Sequence, residues 1–93
     1  MIKSFKCKET EKIWNEIFSK KIPVDIHRRA FNKLILLDAA LDLSDLKANK
    51  GICFEFLKGD RQGQYSIRIN DQWRICFKWL DNNAFNVEII DYH

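Results

Sequence analysis

Residues 59–79 read GDRQGQYSIRINDQWRICFKW, and within them Arg68, Arg74 and Lys78 alternate with apolar residues. A half-buried hairpin needs only one polar face, which Ser or Thr would solvate. Three cations on that face can instead hold an anion. The planar fork of Arg grips phosphate through two parallel hydrogen bonds, which Lys does not reproduce. The chain closes on Asp91, Tyr92 and His93, which place a carboxylate, a phenol and an imidazole near the same face. An imidazole with an ordinary pKa of about 6.5 exchanges protons readily at neutral pH. The competing account is a solvated sheet face. There the long cations cover apolar surface and pair with Glu55, Glu88 or Asp91.

The elements that must position these residues follow from periodicity. Residues 1–7 read as a short first strand. Thr10 is the N-cap expected for a helix over residues 11–20, where Ile13 and Ile17, then Trp14 and Phe18, repeat at i, i+4. Pro23 stops that helix and opens a second over residues 24–41. Its stripe is Ile26, Ala30, Leu34, Leu37 and Leu41. Arg28, Arg29 and Lys33 lie off the stripe, on a face that is either solvated or open to a protein partner. From Gly51 the period becomes two, with strands expected over 52–57, 65–70, 73–80 and 85–92. Helices followed by strands indicate an α+β fold, both helices on one face of a largely antiparallel sheet. Ile67, Ile69, Ile75, Phe77, Val87 and Ile89 should then pack beneath the helices. Arg68, Arg74, Lys78 and Tyr92 should share the open face, within reach of Glu55 and Lys58.

Composition narrows the function classes. The 93 residues form one small domain, and a hydrophobic fraction of 46% supports a single core with any site at a surface cleft. No apolar run has membrane-spanning length, and the first residues lack a signal-peptide h-region, so a cytoplasmic location is expected. Cys7, Cys53 and Cys76 are odd in number, without C-x-x-C spacing, and read as small buried hydrophobes rather than metal ligands. The net charge of +3 comes from residues 1–50, with 11 Lys and Arg against 7 acids; residues 51–93 carry 5 against 6. Any phosphate binding in the second half therefore depends on placement of a few cations, not on bulk field. P-loop, GxSxG, HExxH and paired-carboxylate motifs are all missing from the sequence, leaving nucleotide hydrolysis, acyl transfer and zinc chemistry without support.

The string LKGDRQGQYSIRINDQWRICFKW, followed by the terminal DYH, resembles the HigB toxins of bacterial type II toxin–antitoxin systems, in the RelE/ParE superfamily. The N-terminal MIKSFK and the Leu-rich second helix fit as well, so the resemblance spans residues 1–93. It implies a RelE-like fold, two N-terminal helices packed on one face of a curved, mainly antiparallel sheet. It also implies a ribosome-dependent endoribonuclease, cutting translated mRNA in the A site with no cofactor or metal.

Roles carry over where the motif matches. Arg74 matches the arginine at the scissile phosphate, and Lys58 a basic residue of the active site. Asp91, Tyr92 and His93 match the C-terminal catalytic segment. Glu55 stands where some relatives carry His, and either accepts a proton or holds Lys58. Arg61, Arg68 and Lys78 are the further candidates for RNA contact. The chemistry implied is attack of the RNA's own 2′-OH on the neighbouring phosphate. The implied partner is a HigA-like helix-turn-helix antitoxin, through which operator DNA would be bound. Two rivals share the fold: a ParE-like gyrase poison, and a non-catalytic module docking an acidic partner.

Overall fold

The computed structural model describes residues 1–92. After an N-terminal segment come α1 (Lys8–Trp14), a 3-10 turn (Val24–Ile26), α2 (His27–Ala39) and α3 (Leu43–Ala48). A second 3-10 turn (Lys50–Ile52) leads into β1 (Glu55–Phe56). A third (Gly59–Arg61) links it to β2 (Tyr65–Arg68), which is followed by β3 (Trp73–Leu80) and β4 (Asn83–Asp91). The four strands form an antiparallel meander in the order β1-β2-β3-β4.

The apolar rows fall where alternation puts them. Ile67 pairs with Ile75 and Ile75 with Ile89, under the fully buried Ala30, Leu34 and Leu37 of α2. Phe77 and Val87 are fully buried beside them. Between Cys76 and Lys78 the β3–β4 register shifts, with an extra residue on β4 and Asn86 in the left-handed region at φ 53°. This bulge resets the alternation, so Ala84 and Val87 are both buried although they stand three positions apart.

Several boundaries differ from the sequence reading. Residues 1–7 form no strand element; two isolated parallel bridges, Ile2 to Ala84 and Phe5 to Val87, tie them to β4. The first helix starts and ends earlier than expected. Its N-cap is Cys7, without a side-chain cap bond. Thr10 is fully buried inside the first turn, where its Oγ1 accepts the Ile89 N–H at 2.9 Å and pins α1 to β4. At the other end Glu16 takes φ 58°. The Ile17 N–H donates to the Lys12 carbonyl (2.7 Å) and the Glu16 N–H to the Ile13 carbonyl (3.1 Å). That pair of bonds is a Schellman cap, which stops the helix despite its continuing apolar period. Leu41 is exposed because α2 ends at Ala39. Helix α3 was not expected; Asp42 caps it by accepting the Ser44 and Asp45 N–H groups, and Asp45 answers in a capping box. The first strand of the second half shortens to two residues because Ile52 lies in a 3-10 turn and Cys53 is left-handed at φ 46°.

Candidate active site

Register places Glu55, Ser66, Cys76 and Glu88 in one row across the face opposite the helices, and Arg68, Arg74 and Ile90 in the next. Arg74 does not project from this face as an exposed cation. It is 6% exposed, and its side chain lies back along the sheet toward Ser66. Nε donates to Ser66 Oγ at 2.8 Å and Nη2 to the Cys53 carbonyl at 2.6 Å. Glu55 Oε1 is 3.4 Å from the same Nη2, and the Tyr92 ring centroid lies 5.4 Å from the guanidinium carbon. The guanidinium is therefore aimed by two neutral acceptors, a carboxylate and an aromatic face. Hydrogen bonds to a charged group are each worth about 1.5–3 kcal/mol, so the orientation is well determined.

The other candidates separate into those near Arg74 and those elsewhere. Lys58 is exposed in extended backbone just ahead of the Gly59–Arg61 turn, and makes no ion pair with another described residue. Glu55 faces Arg74 rather than Lys58. Gly59 (φ 69°) and Gly63 (φ 91°) supply the left-handed residues that fold this loop, and the Leu57 N–H closes it on the Gln64 carbonyl at 2.8 Å. Arg61 is committed within the protein: its Nη1 lies 2.7 Å from Glu88 Oε1 and 3.3 Å from Gln64 Oε1. Lys6 approaches Glu88 from the other side at 4.0 Å. Arg68 is paired with Asp71. Lys78 is exposed opposite Phe85, beyond the bulge.

The C-terminal residues divide by parity. Tyr92 turns to the Arg74 side, while Asp91 pairs in register with Trp73, and Gln72 Nε2 donates to its Oδ2 at 3.1 Å. The Tyr92 N–H is held by the Gln72 carbonyl at 2.6 Å. His93 lies outside the described residues.

Sequence reasoning missed Ser66 and the Cys53 carbonyl. A small hydroxyl two positions from Arg68 on the same face was the signal for Ser66; a backbone acceptor leaves none. Of the three cysteines expected to be buried, only Cys76 is. That burial pushes its thiol pKa up, while Cys53 is exposed and Cys7 half-buried.

Residues 3–93 match the HigB-like toxin family, described as the RelE-like toxin of type II toxin-antitoxin system HigB. Toxin HigB-1 of Vibrio cholerae is 46% identical over 65 residues, covering 70% of this chain and 68% of its own. Endoribonuclease HigB of Proteus vulgaris is 33% identical over the full length of both chains. Among solved structures, a YoeB-YefM complex from Staphylococcus aureus aligns with a TM-score of 0.58 at 23% identity, covering 100% of this chain and 98% of that one. That likeness establishes the RelE-like fold. With family and fold in agreement, this chain belongs to the HigB-like toxins of type II toxin–antitoxin systems.

Proposed function

We propose that this chain is a ribosome-dependent endoribonuclease that cuts translated mRNA and is neutralised by a HigA-like helix-turn-helix antitoxin in the cytoplasm. The observation that carries the reading is Arg74, a nearly buried guanidinium aimed by Ser66 and the Cys53 carbonyl beside Glu55 and Tyr92. Such a fixed cation suits a phosphate that gains charge during reaction, because its orientation needs no further ordering in the transition state.

In this mechanism the RNA supplies the nucleophile. The 2′-oxygen forms a bond to phosphorus as the bond to the 5′-oxygen breaks, giving a 2′,3′-cyclic phosphate and a 5′-OH. Glu55, the carboxylate beside Arg74, takes the proton from the 2′-OH. His93 returns a proton to the leaving oxygen. Arg74 stabilises the charge on the phosphoryl oxygens, and Lys58 adds a second cation from the adjoining loop. Tyr92 presents its ring for a base to stack on. The ribosome presents the message already oriented, which accounts for so small a catalytic set.

The test is cleavage of ribosome-bound mRNA by Arg74→Ala, its fold checked by circular dichroism and melting temperature. Loss of roughly a hundredfold or more in rate is expected. Undiminished cleavage by the folded variant would overturn the assignment. Gyrase-dependent DNA breaks with intact mRNA in induced cells would replace it with a gyrase-directed reading.

A further inference from the structure

The sheet face opposite the helices is covered near its middle. Ser66 and Cys76, neighbours in the row that runs from Glu55 to Glu88, are both fully buried there. Arg74 lies back over Ser66, and a second arginine covers the rest. Arg61 belongs to the turn between β1 and β2, yet its Nη1 lies 2.7 Å from Oε1 of Glu88 on β4. In a sheet ordered β1-β2-β3-β4 that contact must pass over β3, and Cys76 is the β3 residue paired with Glu88. The charges of Arg61 and Glu88 both act on the Cys76 thiol, in opposite directions. The ion pair is therefore a strap across the face, spanning two strand spacings or about 10 Å. Glu88 is itself held from behind. Its side chain is 12% exposed, and Oε2 faces Lys6 Nζ at 4.0 Å. The Lys6 N–H is bonded in turn to the Val87 carbonyl at 3.0 Å. An exposed ion pair contributes little, but a carboxylate this enclosed is costly to leave unpaired, so the strap stays closed.

We infer that Glu88 is a positioning residue for RNA cleavage: through Arg61 it holds the Lys58 ammonium where it meets the scissile phosphate beside Arg74. The inference rests on the reading of this chain as an endoribonuclease in which Lys58 is the second cation. Lys58 stands three residues before Arg61 in the same loop and has no ion-pair partner of its own among the described residues. Its placement thus depends on the backbone beneath it. The Leu57 N–H bonds the Gln64 carbonyl at 2.8 Å, and the Gln62 and Gln64 N–H groups bond the Gly59 and Arg61 carbonyls at 3.0 Å. These bonds are internal to the loop and fix its shape. Its tilt over the sheet is set by the tie from Arg61 to β4. Glu88 touches no reacting atom, so its effect reaches the RNA only through Arg61 and Lys58. Misplacing a group by about 1 Å at a reacting centre can cost roughly a hundredfold in rate.

The experiment is single-turnover cleavage of ribosome-bound mRNA by the full chain at saturating toxin. It compares the wild type, Glu88→Ala, Glu88→Gln, Arg61→Ala, Lys58→Ala, and Lys58→Ala combined with Glu88→Ala or Arg61→Ala, each checked for fold by circular dichroism. Glu88→Ala and Arg61→Ala should each cut roughly 10- to 100-fold more slowly. Glu88→Gln, which keeps an acceptor for Arg61, should recover much of that rate. Once Lys58 is removed, adding Glu88→Ala should slow cleavage no further, because the two act as one unit. A Glu88 that only supports the fold would lower the rate by the same factor in both backgrounds. That additive result would overturn the proposal, and so would a wild-type rate in folded Glu88→Ala. If Glu88→Ala does not fold, Arg61→Ala with and without Lys58 decides by the same comparison. If Lys58→Ala cuts at the wild-type rate while Arg74→Ala is inactive, the positioning role falls and the endoribonuclease reading stands. If the wild type cuts no ribosome-bound mRNA, that reading fails and the positioning role with it.

Discussion

Arg74 and Arg68 sit opposite each other in register, yet they meet different fates. Arg68 pairs with its neighbour Asp71 in the turn after β2, whereas Arg74 is folded down over Ser66 and buried. Alternation assigned both to one face without separating them. The difference arises from what lies over β2: the Cys53 carbonyl and Glu55, delivered by a left-handed residue and a two-residue strand. Ser66→Ala tests this arrangement. It removes the acceptor of Nε at a fully buried site, so stability should fall by about 1–3 kcal/mol. Cleavage should fall with it, through kcat rather than KM, because the guanidinium remains but is less well aimed. Denaturant unfolding and single-turnover cleavage measure the two effects separately. Arg61, expected to contact RNA, is held within the protein by Glu88 and Gln64, and so braces the Lys58 loop.

At the scale of elements, β3 followed its period, β4 broke it at a bulge, and the helices departed from theirs at specific caps. β3 occupies the residues expected for it, Trp73 to Leu80. α1 stops at Trp14 although apolar residues continue at helical spacing through Phe18. Periodicity registers which residues are apolar, not which backbone turns left-handed, and Glu16 at φ 58° gave no glycine signal. Those continuing residues became the wall of a groove instead of a buried stripe. Relief at this cap is measurable: Glu16→Gly removes a Cβ from a left-handed position and should stabilise the protein by roughly 0.5–1 kcal/mol. The gain is limited by the greater freedom of Gly in the unfolded chain. A higher denaturant midpoint at unchanged m-value is the expected result. Helix α3 was legible in principle, because Asp42 and Asp45 stand at capping-box spacing, with Asp in the place of the usual Glu or Gln.

For the whole molecule, two carboxylates couple folding to acidity. The Ser19 hydroxyl, with Lys12, holds the Glu9 carboxyl below its ordinary value of 4.5, and the Ser44 hydroxyl holds Asp42 below 3.8. Both bind protons less readily folded than unfolded. Their contribution is therefore fully present above those ordinary values and is lost as pH falls through the lowered ones. Melting temperature should hold above about pH 5 and decline below it, and Ser19→Ala should shallow the decline by removing the main cause of the Glu9 shift. A Ser19→Ala curve with undiminished acid sensitivity would show that this contact is not the source.

The sequence by itself determined the α+β class, the buried face of the sheet and the family. Those depend on local period and on residue strings that survive without coordinates. Tertiary structure alone decided that Arg74 is buried and braced, that Arg61 is committed to Glu88, and that Asp91 and Tyr92 diverge. The physical reason is that a side chain's partners come from chain segments distant in sequence. The Cys53 carbonyl that orients Arg74 lies 21 residues away and carries no trace in residue type.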